Sequence, residues 1–154
     1  MSIREHLEDD LKQSMKSRDA ARLSCLRMLK ARMLEREVEL RAKEGRDYKI
    51  SDEEALKVIA SYAKQRRDSI EGFEQGGRTE QAANERAELA IVQEYLPEQL
   101  SEDEIREIVK GALAETGAGS AREMGSVMRL VMPKVKGLAD GKLVQQIVRE
   151  LLPS

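Results

Sequence analysis

The sequence predicts an all-α protein, and three observations carry that prediction. Hydrophobic residues make up 40% of the chain but aromatics only 3%, so any core is aliphatic, which suits packed helices. No stretch sustains the apolar–polar alternation of a strand. Ser2…Glu5, Ser51…Glu54, Ser101…Glu104 and Ser120…Glu123 each fit the capping box, in which a hydroxyl and a carboxylate satisfy first-turn amides reciprocally. One match is weak, but four, each followed by apolar residues at helical spacing, mark helix starts.

The elements follow in order. A first helix carries Ile3, Leu7, Leu11 and Met15 as an i, i+4 stripe. After "KSRDAA" a long second helix runs from about Asp19 to Lys43, with Leu23, Leu26, Leu29, Met33 and Leu40 on one broad face. "EGRDYKI" breaks the pattern, and a third helix runs from Ser51 to about Phe73 with Ala55, Val58, Ile59, Tyr62, Ile70 and Phe73 inward. Gly76 and Gly77 end it, and Thr79 is expected to cap a fourth helix reaching Leu96. Pro97 disfavours helix at the residue before it and marks the domain boundary. Three short helices are expected beyond it, over 101–116, 120–132 and 140–152, with Pro133 stopping the middle one. The predicted architecture is a four-helix bundle-like region over 1–96 and a small three-helix domain over 97–154.

Several kinds of chemistry are excluded at this level. The lone cysteine, Cys25, and lone histidine, His6, lie far apart in sequence and offer neither a nucleophile–base pair nor a zinc ligand set. Paired carboxylates such as Asp9–Asp10 and Glu53–Glu54 sit near first helical turns, where the helix dipole explains them. Gly137 and Gly141 are one residue too close for a Walker loop, and Leu143 stands where a Ser or Thr would hold magnesium. No catalytic residue, metal or cofactor is expected. There is no apolar run of membrane-spanning length and no signal-peptide segment after Met1, so a cytosolic protein is the expectation.

Charge is abundant but balanced, with 27 basic and 29 acidic residues. This is not the footprint of a general nucleic-acid binder, so local distribution matters. From Gly117 onward, Arg122, Arg129, Lys134, Lys136, Lys142 and Arg149 outnumber Glu123, Asp140 and Glu150. In "MPKVKGLADGK" the lysines surround two glycines at a helix start capped by Asp140. Spacing alone leaves open a solvated connector or an anion seat formed by Lys134, Lys136, Gly137, Asp140, Gly141 and Lys142, with Arg129 nearby.

A second basic stretch lies between Leu11 and Arg46, where Arg18, Arg22, Arg32 and Arg36 fall on one sector of the second helix. A solvated flank is its bland alternative. Arg66 and Arg67 in "KQRRDSIEGF" complete the secondary basic surface, although pairs such as Lys64–Asp68 and Arg67–Glu71 offer a structural explanation. Met124, Met128 and Met132 form an i, i+4, i+8 stripe that reads first as core and second as a docking groove.

"RLSCLRMLKARM", "KQRRDSIEGFEQGGR", "EYLPEQLSEDEI" and "MGSVMRLVMPKVKGLADGKLVQQIVRELL", in this order, resemble the GatB/YqeY family over essentially the whole chain. The resemblance implies a helical N-terminal bundle and a small helical C-terminal domain similar to the tail of the tRNA-dependent amidotransferase B subunit. In that setting the tail is implicated in holding tRNA. It also brings the family's activity label, carbon–nitrogen ligation with glutamine as amide donor, which belongs to the multisubunit enzyme. Under this resemblance the tail turn is expected to contact RNA phosphates. The protein is then a non-catalytic tRNA-associated accessory, or else an adaptor docking on a synthetase or amidotransferase through the methionines or Phe73. Scarce aromatics argue against base stacking and leave recognition by backbone shape and charge.

Overall fold

A computed structural model describes residues 1–153, and among them the structure is entirely helical and turn. It divides into two compact units, Met1–Leu96 and a second beginning at Pro97. The first contains α1 (Ile3–Ser17), α2 (Ala20–Glu44), α3 (Asp52–Gln75) and α4 (Thr79–Gln93). The second contains α5 (Glu102–Thr116), a 3-10 turn (Ala121–Glu123), α6 (Met124–Val135) and α7 (Gly141–Leu151).

Helix starts follow local chemistry. Ser2 and Ser101 form full capping boxes with Glu5 and Glu104. Ser51 accepts from the Glu54 amide, but the Glu54 carboxylate turns instead to Arg36 and Lys57. Two expected caps fail. Thr79 is already helical, and Arg78 takes the cap position without a side-chain bond. Ser120 makes no cap bond because the chain first enters a 3-10 turn, whose tighter winding removes the geometry the box needs.

Helix ends differ from expectation in three places. α4 stops at Gln93, and the following turn delivers the Tyr95 ring into the core. Pro133 lies inside α6, which continues to Val135. Proline removes a single helical bond, the one its own amide would give to the Arg129 carbonyl, and near an exposed helix end the loss is tolerated. Arg18 sits in the left-handed region at φ 57°, with Arg18 N–H bonding Met15 O and Asp19 N–H bonding Ser14 O. That is a Schellman ending with arginine where glycine is favoured. Gly77, at φ 72°, plays the same part between α3 and α4 without the side-chain penalty.

The first unit's core joins Leu7 and Leu11 to Leu26, Leu29 and Met33 and to Ala55, Ile59, Tyr62 and Ala63, with Val92 and Tyr95 closing it. The second unit's core is Ile105, Val109 and Ala112 of α5, Val127, Val131 and Val135 of α6, and Val144, Ile147 and Val148 of α7. The valine stripe, not the methionine stripe, faces inward on α6. Met124 and Met128 pack at its margin, and Met132 is about one-third exposed, at 36%. Narrow valines on one face allow short helices to approach closely.

Candidate nucleic-acid interface

The α6–α7 connection is a shaped turn. Lys136 adopts φ −56°, ψ 123° and Gly137 φ 77°, while Leu138 N–H bonds Val135 O at 2.8 Å. This is a type II turn, and only its third position demands the positive φ that glycine supplies. Residues after Pro97 brace it. Gln99 Nε2 donates to the Gly137 carbonyl at 3.1 Å, and Leu100 N–H donates to the Leu138 carbonyl at 2.8 Å. The turn is therefore held from outside as well as by its own hydrogen bond.

Asp140 caps α7 and accepts from the Lys142 amide at 3.3 Å. An anion at this helix start would thus share the first turn with a carboxylate and would meet the Gly141 amide and the neighbouring cations. Arg129, Lys134, Lys136 and Lys142 are all exposed. At 100° per residue Arg129 and Lys136 lie two turns apart on nearly one face, whereas Lys134 lies about 140° round from Arg129. The turn therefore presents cations in more than one direction. Arg129, Lys134 and Lys136 form no ion pair among the described residues.

The secondary basic residues have a different environment. Arg18 belongs to the end of α1 and is not on the α2 face. Arg22 pairs with Glu94 at 2.8 Å and Asp10 at 3.5 Å. Arg36 pairs with Glu54 and Glu39, both at 3.1 Å, and Arg32 reaches Glu35 at 3.9 Å. Arg66 lies over the Tyr62 ring and reaches Glu85 at 3.2 Å and Glu88 at 3.7 Å. Arg67, its neighbour on α3, is half-buried. The pairings of Arg22, Arg36 and Arg66 link separate elements and occupy guanidinium groups that a phosphate backbone would need, whereas Arg32 and Glu35 lie on the same helix and are exposed.

Titratable groups serve the same structural end. Asp10 accepts from the Tyr95 hydroxyl and faces His6 at 3.4 Å, so His6 is tied into an α1 contact. The Cys25 thiol, buried against α4, is pushed up to about 12 by burial and then by Glu88, and it donates to the Glu88 carbonyl at 3.8 Å. A thiol so held stays protonated at neutral pH and is a poor nucleophile. Among the described residues no three His, Cys, Asp or Glu side chains gather to hold a metal, and no helix is long and apolar enough to cross a membrane.

One important residue gave little sequence signal. Glu37 is 1% exposed and binds Arg4 at 2.7 Å, Arg41 at 2.9 Å and the Ile50 amide at 2.9 Å. In the sequence it reads as one acid in a basic stretch. Only an Arg–Glu i, i+4 spacing to Arg41 hinted at a partner.

Comparison with known proteins finds relatives of the chain. Over 149 residues the chain is 30% identical to the protein of Pyrenophora tritici-repentis named altered inheritance of mitochondria protein 41, mitochondrial, covering 95% of this chain and 78% of that protein. A protein of the same name from Eremothecium gossypii is 30% identical over 91 residues, 59% of this chain and 47% of its own length. The family model described as Yqey-like protein matches residues 4–152, and with that span nearly the whole folded chain belongs to the YqeY-like family.

Proposed function

We propose that this chain is a non-catalytic accessory protein that holds folded RNA, tRNA above all, by its phosphates at the α6–α7 turn. The observation that carries the reading is that Arg129, Lys134 and Lys136 stand exposed and without ion-pair partners among the described residues, around a braced turn. Arg22 and Arg36 of α2 and Arg66 of α3, by contrast, are engaged by carboxylates. The expected RNA follows from the resemblance of the tail to that of the tRNA-dependent amidotransferase. Amide transfer by this chain alone is not part of the proposal: the sequence offers no Walker loop to hold ATP, and a buried, protonated Cys25 is a poor nucleophile for releasing ammonia from glutamine. A partner synthetase or amidotransferase fits the same role. A cytosolic setting suits it, as does a mitochondrial one, the compartment named for both fungal relatives.

Docking through the methionines has less support, because Met124 and Met128 pack against the core and Phe73 is half-buried. The test is a salt titration of binding to total tRNA by the wild type and by the triple variant Arg129/Lys134/Lys136→Ala. Each phosphate left without its cation should make the slope of log K against log salt shallower by roughly 0.7 to 0.9, so the slope of the triple variant should be shallower by about two to three. No binding by the wild type at low salt, or equal slopes, sinks the proposal.

A further inference from the structure

A second surface lies wholly within the first unit, along the seam between α1 and α2. A groove of about 300 Å³ is floored by Leu11 and Leu23 and edged by Met15, Lys12 and Arg27. A depression of about 150 Å³, floored by Leu7 and Met33 and edged by Leu34, continues it. The two share Glu8 and Lys30, whose ion pair at 3.7 Å is about half exposed on both sides and so is a weak bar between them. Met15 is 51% and Leu34 50% exposed, and both stand at the edges of the channel.

The spacing along α2 is informative. Leu23, Arg27, Lys30 and Leu34 recur at four, three and four residues, so they line one strip of the helix, apolar at its two ends and cationic between. From Leu23 to Leu34 the seam is roughly 17 Å long at 1.5 Å per residue, room for about three helical turns.

Charge selects the occupant. Lys12 and Arg27 have no ion pair among the described residues, and Lys30 has only Glu8. Deeper in the same channel Glu37 is already held by Arg4 and Arg41. The rim is thus net positive over an apolar floor. A second copy of this chain would bring its own Lys12, Arg27 and Lys30 against these, a like-charge juxtaposition in a two-fold contact. A phosphate backbone has no use for a concave apolar floor, and a bilayer needs apolar groups that project instead of lining a channel. We infer that the α1–α2 seam receives an amphipathic helix of a partner protein, with an apolar stripe in the groove and Asp or Glu residues against Lys12, Arg27 and Lys30. This does not depend on the RNA reading.

The test uses full-length protein and two synthetic helices of about 18 residues, long enough to overrun the seam at 1.5 Å per residue, with leucines at helical spacing. One carries flanking glutamates and the other lysines, and binding is read by fluorescence anisotropy. The glutamate-flanked peptide should bind saturably and at least tenfold tighter than the lysine-flanked one. Leu34→Asp and Arg27→Glu, both at exposed positions, should each weaken it at least tenfold while circular dichroism and tRNA binding stay unchanged. Equal binding of both peptides, binding of neither, or indifference to both variants overturns the inference. Two further results also overturn it in favour of another occupant. One is a concentration-dependent dimer dissolved by Leu34→Asp. The other is binding to phosphatidylglycerol vesicles that the two variants abolish while the peptides stay unbound.

Discussion

Replacing Glu37 tests whether a buried carboxylate organises the first unit. Its Oε2 accepts from Arg4 Nη1 and from the Ile50 amide, and its Oε1 accepts from Arg41 Nη2. These bonds tie the start of α1, the end of α2 and the loop before α3 to one side chain that is 2% exposed. In Glu37→Ala the two arginines, at 36% and 38% exposure, can turn to water, so their loss is moderate. The Ile50 amide is buried and cannot, and an orphaned buried donor costs about 1–3 kcal/mol. With the emptied volume added to that orphaned donor, the expected total is about 2–4 kcal/mol, since no buried charge is left unpaired. Glu37→Gln keeps an oxygen for the Ile50 amide and should cost about 1–2 kcal/mol. Urea unfolding followed by far-UV circular dichroism gives the energies, and amide hydrogen exchange at Ile50 gives the cause. Equal losses in the two variants, or unchanged protection of the Ile50 amide in Glu37→Ala, would refute this role for the carboxylate.

Two other outcomes follow from backbone geometry and burial. Gly137→Ala forces a side chain into φ 77° and should destabilise the second unit by about 1 kcal/mol, whereas Arg18→Gly relieves φ 57° and should stabilise the first by a similar amount, both read by chemical denaturation. Cys25 holds its proton to about pH 12 in the fold against an ordinary value of 9.0, and burial likewise raises Tyr62 and Tyr95. Above pH 9 the unfolded chain therefore releases protons that the folded chain retains, and stability falls as pH rises. The Cys25 part is up to about 1.4 kcal/mol per pH unit between 9 and 12, and Cys25→Ala should flatten the decline that begins near pH 9.

Much of the helical order was legible because helix starts are local. Ser2, Ser51 and Ser101 cap where their spacing to a glutamate says they should, and Asp19 and Asp140 cap α2 and α7. What the sequence hid depends on distant partners or on volume. The methionines of α6 and its valines share the same i, i+4 period and lie beside one another on the helix surface, so periodicity cannot say which stripe is buried. The close approach of α5 and α7 decides for valine. Arg18 offers no sign of a left-handed terminator, because arginine is not the residue that conformation favours. Glu37 becomes structural through Arg4, 33 residues away, and through the Ile50 amide.

The basic residues divide in the same way. Arg22 and Lys136 are equally cationic in the sequence, and a stripe drawn on α2 looks as suited to phosphates as the turn after α6. The fold separates them by supplying or withholding carboxylates. Glu94 reaches Arg22 across the bundle and Glu54 reaches Arg36 from α3, and each such pair already gains from its partner what a phosphate would offer. Displacing a carboxylate to bind RNA would return little net free energy. Arg129, Lys134 and Lys136 have no such internal partner among the described residues, so a phosphate there replaces only water and counterions. Lys12 and Arg27 on the α1–α2 seam share that condition. There an apolar floor accompanies the unpaired cations, which favours an acidic helix over a phosphate backbone. Unpaired charge marks where a partner can bind, and the surface beneath it indicates which kind.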